Sequence, residues 1–261
     1  MRTVSILNLK GGVAKTFTAV NMAYELCCRG FKVLLVDNDK QGNLSRAYGR
    51  YDADSVAPVS RILSGDWQTA VELIQHTDYE GLDILTANMS LMGATWQLTA
   101  EEAGNQIDRF KQFVEHADWV SGYYDYCIID NPPDIGLNVV NALAVTDEVI
   151  VPVKIDEWAL DGLDVLVEQI EDAKQINPRL CLRGILITAY QNTDGEAAGK
   201  EWLESSQFRG QREYSILGVI RYSRKVAEST FNFKPIYEYS PCCGAAQDYK
   251  KFVTRYTGKA R

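Results

Sequence analysis

The stretch Asn8-Leu9-Lys10-Gly11-Gly12-Val13-Ala14-Lys15-Thr16 follows an apolar run over 3–7 and leads into a helical pattern that starts at Lys15. A strand, a glycine-containing loop ending in Lys-Thr, and a helix together make a phosphate cradle. Loop N–H groups and the positive end of the helix face the anion, Lys15 adds a charge, and the Thr16 hydroxyl suits Mg2+. The strict pattern GxxxxGK[ST] is not met, because Leu9 and Ala14 stand at its two glycine positions. A second lysine, Lys10, precedes Lys15 by five residues. The candidate nucleotide-contacting set of the loop and first helical turn is Gly11, Gly12, Val13, Ala14, Lys15, Thr16 and Phe17. If position 14 needs a positive φ, its methyl group costs about 1 kcal/mol, so the expectation is a backbone that tolerates alanine.

Outward from this loop, buried strands and helices alternate. Residues 32–36 (KVLLV) read as a second strand ending in Asp37-Asn38-Asp39, and 126–129 (YCII) as a third that delivers Asp130. Further strands are expected over 148–153, 182–188 and 215–220, and an apolar run over 82–85 is less easily typed. Helices are expected over 15–29, 136–144, 160–175, 197–206 and 245–256, with short helical patterns at 59–63 and 67–74 and one long polar helix over 97–114. This pattern predicts an α/β fold, a doubly wound, predominantly parallel sheet flanked by helices. No repeat or linker interrupts it, so 1–261 is expected to be a single domain. In such a sheet ligands bind beyond the carboxyl ends of the strands. Strand-end Asp37, Asp39 and Asp130 after a Lys-Thr loop are the arrangement that holds a Mg2+-nucleotide.

Composition narrows the class. With 261 residues, 46% apolar, and no long apolar run, the chain reads as neither secreted nor membrane-spanning. Six cysteines include two adjacent pairs and no CxxC, the usage of reduced thiols in a cytosolic protein, and the two histidines leave little room for histidine catalysis. Net charge is −8, but from Arg209 onward eleven Lys/Arg stand against four acids, a local +7 on a body carrying −15. Such a basic tail has the form of a polyanion footprint.

Several segments together resemble the signature-lysine ("deviant Walker A") ATPases of the ParA/MinD superfamily, closest to small ParA/Soj-type DNA-segregation ATPases. KGGVAKT is similar to the signature loop, VDNDKQGNLS to the family's DxDPQGN segment, and IIDNPPDIG to its DTPP segment, with Asn131 in place of Thr. VIVPVKIDEWALDGL, VIRYSRKVAES and PIYEYSPCCGAAQDY resemble the family's later segments. The resemblance implies a P-loop NTPase fold and an ATPase with ATP and Mg2+ as nucleotide and metal. Lys15 would contact the β/γ-phosphates, Thr16 and Asp37 would organise Mg2+, and Asp130 would reach it through water. Asp39 would position the attacking water. Lys10 would reach across an ATP-bound homodimer to the partner copy's phosphates. It further implies nonspecific binding to double-stranded DNA, with Arg221, Arg224, Lys225, Lys250, Lys251 and Arg255 as candidate contacts, and a ParB-like activator protein. The expected location is the bacterial cytoplasm, on the nucleoid when ATP-bound. Competing readings are a MinD-like positioning ATPase with a membrane-binding C-terminal helix, an iron–sulfur carrier using Cys242-Cys243, and a metabolic ligase or kinase. The 252–257 segment lacks a broad apolar face and contiguous thiolates chelate a metal awkwardly, so no stable membrane association is expected.

Overall fold

The computed structural model describes residues 1–102, 106–116, 118–205 and 215–258. Of the basic tail, Arg209, Arg212, Lys259 and Arg261 lie outside the described residues. In chain order the elements are β1 (Arg2–Ile6), α1 (Lys15–Cys28), β2 (Val33–Asp37), α2 (Asn43–Ala47), α3 (Pro58–Ser64), β3 (Gln75–His76), β4 (Leu82–Leu85), α4 (Ser90–Thr99), α5 (Arg109–His116), α6 (Asp118–Tyr123) and β5 (Tyr126–Asp130). They continue with α7 (Leu137–Val145), β6 (Glu148–Val153), α8 (Glu157–Ala173), β7 (Cys181–Tyr190), α9 (Asp194–Ser205), β8 (Ile216–Arg221), α10 (Arg224–Phe231), α11 (Ile236–Tyr239) and α12 (Gly244–Thr257).

All strands join one sheet in the order β3-β4-β2-β5-β1-β6-β7-β8. Every described pairing is parallel except β3 with β4. Strand alternation splits the core between the two faces. Val33 and Leu35 of β2 join a cluster with α1 and α12, whereas Leu34 and Val36 join one with α3, α4 and α5. Farther along the second face, β6 and β7 are covered by α7 and α8. Helix α1 is buried nearly all round, because α12 covers the side the sheet leaves open. Asp37 pairs in register with Asp130, so the alternation places both strand-end carboxylates at the same edge.

Two expected helices are not formed. The 97–114 segment is divided between α4 and α5. The Gln106 side chain donates to the carbonyls of Thr99 and Glu101, ending α4, and Asn141 Oδ1 accepts from the Arg109 N–H at 2.8 Å, opening α5. The 67–74 segment yields only a 3-10 turn over Ala70–Glu72, closed by a Thr69/Glu72 capping box, before β3 begins. Among the described residues no helix is long and apolar enough to cross a membrane. Helix α12 buries Tyr249, Phe252, Val253 and Tyr256 in the core.

Candidate functional site

Beyond β1 the chain is held by side-chain bonds while it makes the glycine loop. Asn8 Nδ2 donates to Pro152 O at 2.7 Å, and Asn8 Oδ1 accepts from the Lys10 N–H at 2.9 Å. Gly12 takes φ of 73°. Ala14 is the residue before α1 and has φ 67°, ψ 34°, the left-handed region. The expectation of a backbone comfortable for alanine is therefore corrected: Ala14 carries a cost of about 1 kcal/mol. Neighbouring bonds hold it there, since Thr188 Oγ1 donates to Val13 O at 3.1 Å and the Ala14 carbonyl accepts the Thr18 N–H at 2.9 Å. Lys15 is buried, and its Nζ crosses the loop to donate to Lys10 O at 2.9 Å. Burial lowers its pKa, while Asp130, Asp39 and Asp134 pull the other way.

Two strand ends, of β2 and β5, converge on this loop. Asp37 is completely buried and accepts from Ser45 N at 2.8 Å, Ser45 Oγ at 2.7 Å and Asp39 N at 3.2 Å. Desolvation pushes its pKa up to about 7 despite those donors, with Asp39 adding to the rise. Asp130 is also buried; desolvation and then the Asp37 charge raise its pKa well above the usual carboxylate range, against a hydrogen bond from Thr16 and the Lys15 charge. Its Oδ1 has no partner. A Thr hydroxyl and two buried, mutually repelling carboxylates, one with an orphaned oxygen, are hard oxygen donors that suit Mg2+. Asp39 lies half-buried on the next turn, its Oδ1 accepting from Gln41 N at 3.0 Å. Gly42 completes that turn at φ 67°, where a Cβ would stand 2.5 Å from the Tyr51 ring.

These groups open into a cavity of about 700 Å3. One wall is Gly11, Gly12, Lys15, Thr16 and Asp39; the other is the β8–α10 turn with Ile220, Tyr222 and Val226, together with Phe233 and Lys234. The sequence reading missed that second wall, and it missed α10, whose only local signal is Ser223 capping the helix by accepting from Lys225 N at 3.2 Å. It also missed Ser45, which lies within the VDNDKQGNLS segment but is recognised as the Asp37 partner only once α2 folds back on β2.

The candidate DNA contacts are not one patch. Arg221, Arg224 and Lys225 lie at the nucleotide edge, where Arg221 makes a forked pair with Asp248 at 2.7 and 2.9 Å and Lys225 pairs with Glu228 at 2.6 Å. Lys250, Lys251 and Arg255 descend α12 toward the opposite edge, where Arg29, just past the end of α1, bonds Thr254 at 2.7 Å and Lys250 O at 3.3 Å. Lys10 Nζ donates to both carboxylate oxygens of Asp156 in its own chain. Cys243 Sγ accepts from Ala246 N at the start of α12, so one thiol of the adjacent pair is a helix cap. Among the described residues no group of His, Cys, Asp and Glu forms a metal cluster site.

A family model described as "AAA domain" matches residues 1–182. The chain is 32% identical over 264 residues to the chromosome partitioning protein ParA of Caulobacter vibrioides, spanning 100% of this chain and 96% of that protein. It is 33% identical over 249 residues to the sporulation initiation inhibitor protein Soj of Bacillus subtilis, 95% of each chain. Among solved structures, cobyrinic acid a,c-diamide synthase from Mycobacterium smegmatis with bound ADP and magnesium superposes with a TM-score of 0.80 at 29% identity, over 99% of this chain and 97% of that one. A family match across most of the chain, together with identity above 30% along its full length, makes this chain a member of the AAA-domain P-loop ATPase family, in its ParA/Soj branch.

Proposed function

We propose that the chain, acting as one domain, is a Mg2+-dependent ATPase whose ATP-bound homodimer binds DNA without sequence preference and serves in DNA partitioning. The observation that carries this reading is the convergence of Lys15, Asp37 and Asp130 on one phosphate loop, in a chain similar along its whole length to named partitioning proteins. Loop N–H groups of Gly11–Lys15 and the Lys15 ammonium hold the β/γ-phosphates. Thr16 and Asp37 would hold Mg2+, with Asp130 acting on it through water. Bound there, Mg2+ would supply positive charge against the phosphoryl oxygens. Asp39, on its turn at the cavity wall, orients the attacking water, a task of position rather than of covalent chemistry. Lys10 leaves Asp156 and reaches the phosphates of a second copy, which makes dimerisation depend on ATP. Arg221, Arg224 and Lys225 then lie on the edge nearest the nucleotide, suited to a DNA contact that follows nucleotide state. A ParB-like protein would stimulate hydrolysis and release the chain from the nucleoid of a bacterial cytoplasm.

The deciding measurement is binding to duplex of arbitrary sequence with ATP, with ADP and without nucleotide, over a salt series. Binding that requires ATP and falls steeply with salt is expected; equal binding in the three states, or none, overturns the DNA assignment.

A further inference from the structure

Three asparagines tie the strand ends together behind the carboxylates. Asn38 Nδ2 donates to Asn131 Oδ1 at 2.9 Å and to Asn138 O at 3.1 Å, and Asn138 Nδ2 returns a bond to Asn38 O at 3.0 Å. Asn131 Nδ2 donates to Ile6 O at 3.3 Å and Ile129 O at 3.4 Å, so its amide spans β1 and β5. The backbone follows the same route, with Asn38 N bonding Asp130 O at 2.9 Å and Asn131 N bonding Ile6 O at 3.2 Å. All three side chains are buried, Asn38 completely, and Asn38 Oδ1 has no partner.

An incompletely satisfied amide network is a costly way to fill a core that apolar side chains could fill. What it supplies is direction. Asn38 is the residue between Asp37 and Asp39, and Asn131 directly follows Asp130. We propose that Asn38, Asn131 and Asn138 are positioning residues that fix Asp39 relative to Asp130 and Lys15, and so set the rate of the hydrolytic step without contacting the nucleotide. This rests on the reading of Asp39 as the group that orients water. Because the network's side-chain bonds go to residues 6, 38, 129, 131 and 138 and to none of the loop residues 10–16, loosening it displaces Asp39 and leaves the phosphate contacts in place. Rate falls and affinity stays, since small displacements of an orienting group are expensive in rate.

The test is single-turnover ATP hydrolysis and equilibrium ATP binding for Asn38→Ala and Asn138→Ala, each in the parent chain and in Asp39→Ala. Asn138, at the start of α7, is the milder change and carries the test if Asn38→Ala does not fold. The expected result is a loss of about 10-fold or more in rate, with binding within about 2-fold of the parent. In the Asp39→Ala background the same substitutions should produce no further loss, because the group they position is already gone. An equal loss in both backgrounds, a parallel loss of affinity, or parental turnover in the parent chain overturns the proposal. Parental turnover in Asp39→Ala alone removes Asp39 from the mechanism, and the positioning role falls with it; that failure shows in the single variant before any asparagine is changed.

Discussion

Asp37 sits completely buried with a pKa pushed up to about 7, mainly by desolvation, so the fold without metal favours its neutral form. A raised carboxyl pKa stabilises the fold at pH below the group's ordinary value, and that contribution is lost as pH rises through 7. Asp37→Asn should therefore raise the melting temperature of the nucleotide-free chain in EDTA, and by more at pH 8 than at pH 5. A gain of a few degrees is the expected scale, as about 1 kcal/mol moves a domain of this size by about 2–4 °C. The same variant should lose the extra stabilisation that Mg2+ adds to ATP, because a neutral amide is a poor partner for the dication; both effects are read by thermal melts. Ala14 gives a second residue-scale expectation. At φ 67° its methyl opposes the loop, so Ala14→Gly should stabilise the chain by about 0.5–1 kcal/mol in chemical denaturation.

At the scale of elements, α1 and α12 are joined by Arg29. Its guanidinium pairs with Glu25 at 2.8 Å, both side chains buried, and also bonds Thr254 of α12 at 2.7 Å. Truncation leaves Glu25 buried without its cation, so Arg29→Ala should cost about 3–5 kcal/mol and lower the melting temperature by on the order of 10 °C. The nucleotide loop lies at the other end of α1, and ATP should still protect the variant against melting. The elements themselves were legible where their signal was local. Strand β6 falls on its expected residues, and α12 on its expected span to within a residue, because an apolar run or a glycine marks each. The break between α4 and α5 was not legible, because its caps come from Asn141, more than thirty residues away, and from a glutamine side chain. Helix α10 was missed because it is short and polar, and its packing partner is the short helix α11 that follows it.

For the whole molecule, the pairing of Lys10 with Asp156 in one chain sets a competition. If Lys10 serves a second copy, each subunit must first break this pair. Asp156→Asn should then let the ATP-bound dimer form at protein concentrations about 2- to 30-fold lower, the range expected for releasing two partly exposed ion pairs, measured by sedimentation with slowly hydrolysed nucleotide. Lys10→Ala should abolish dimer-dependent hydrolysis and leave ATP binding to the single chain largely intact. The basic residues divide at this scale too. Arg221 is engaged by Asp248 and Lys225 by Glu228, so of these three residues DNA affinity on the nucleotide edge should depend most on Arg224.

By itself the sequence determined the alternation of strands and helices, the phosphate loop from Lys10 to Thr16, and the aspartates that end two strands, since each is a local pattern that folding preserves. Tertiary structure alone decided the rest. The left-handed backbone at Ala14 depends on bonds from Thr188 and Thr18, and the raised pKa values of Asp37 and Asp130 depend on burial side by side. The second cavity wall, the asparagine network and the Lys10–Asp156 pair join residues far apart in the chain. Such contacts follow from how the strands are ordered in the sheet, and no local pattern of residues encodes that order.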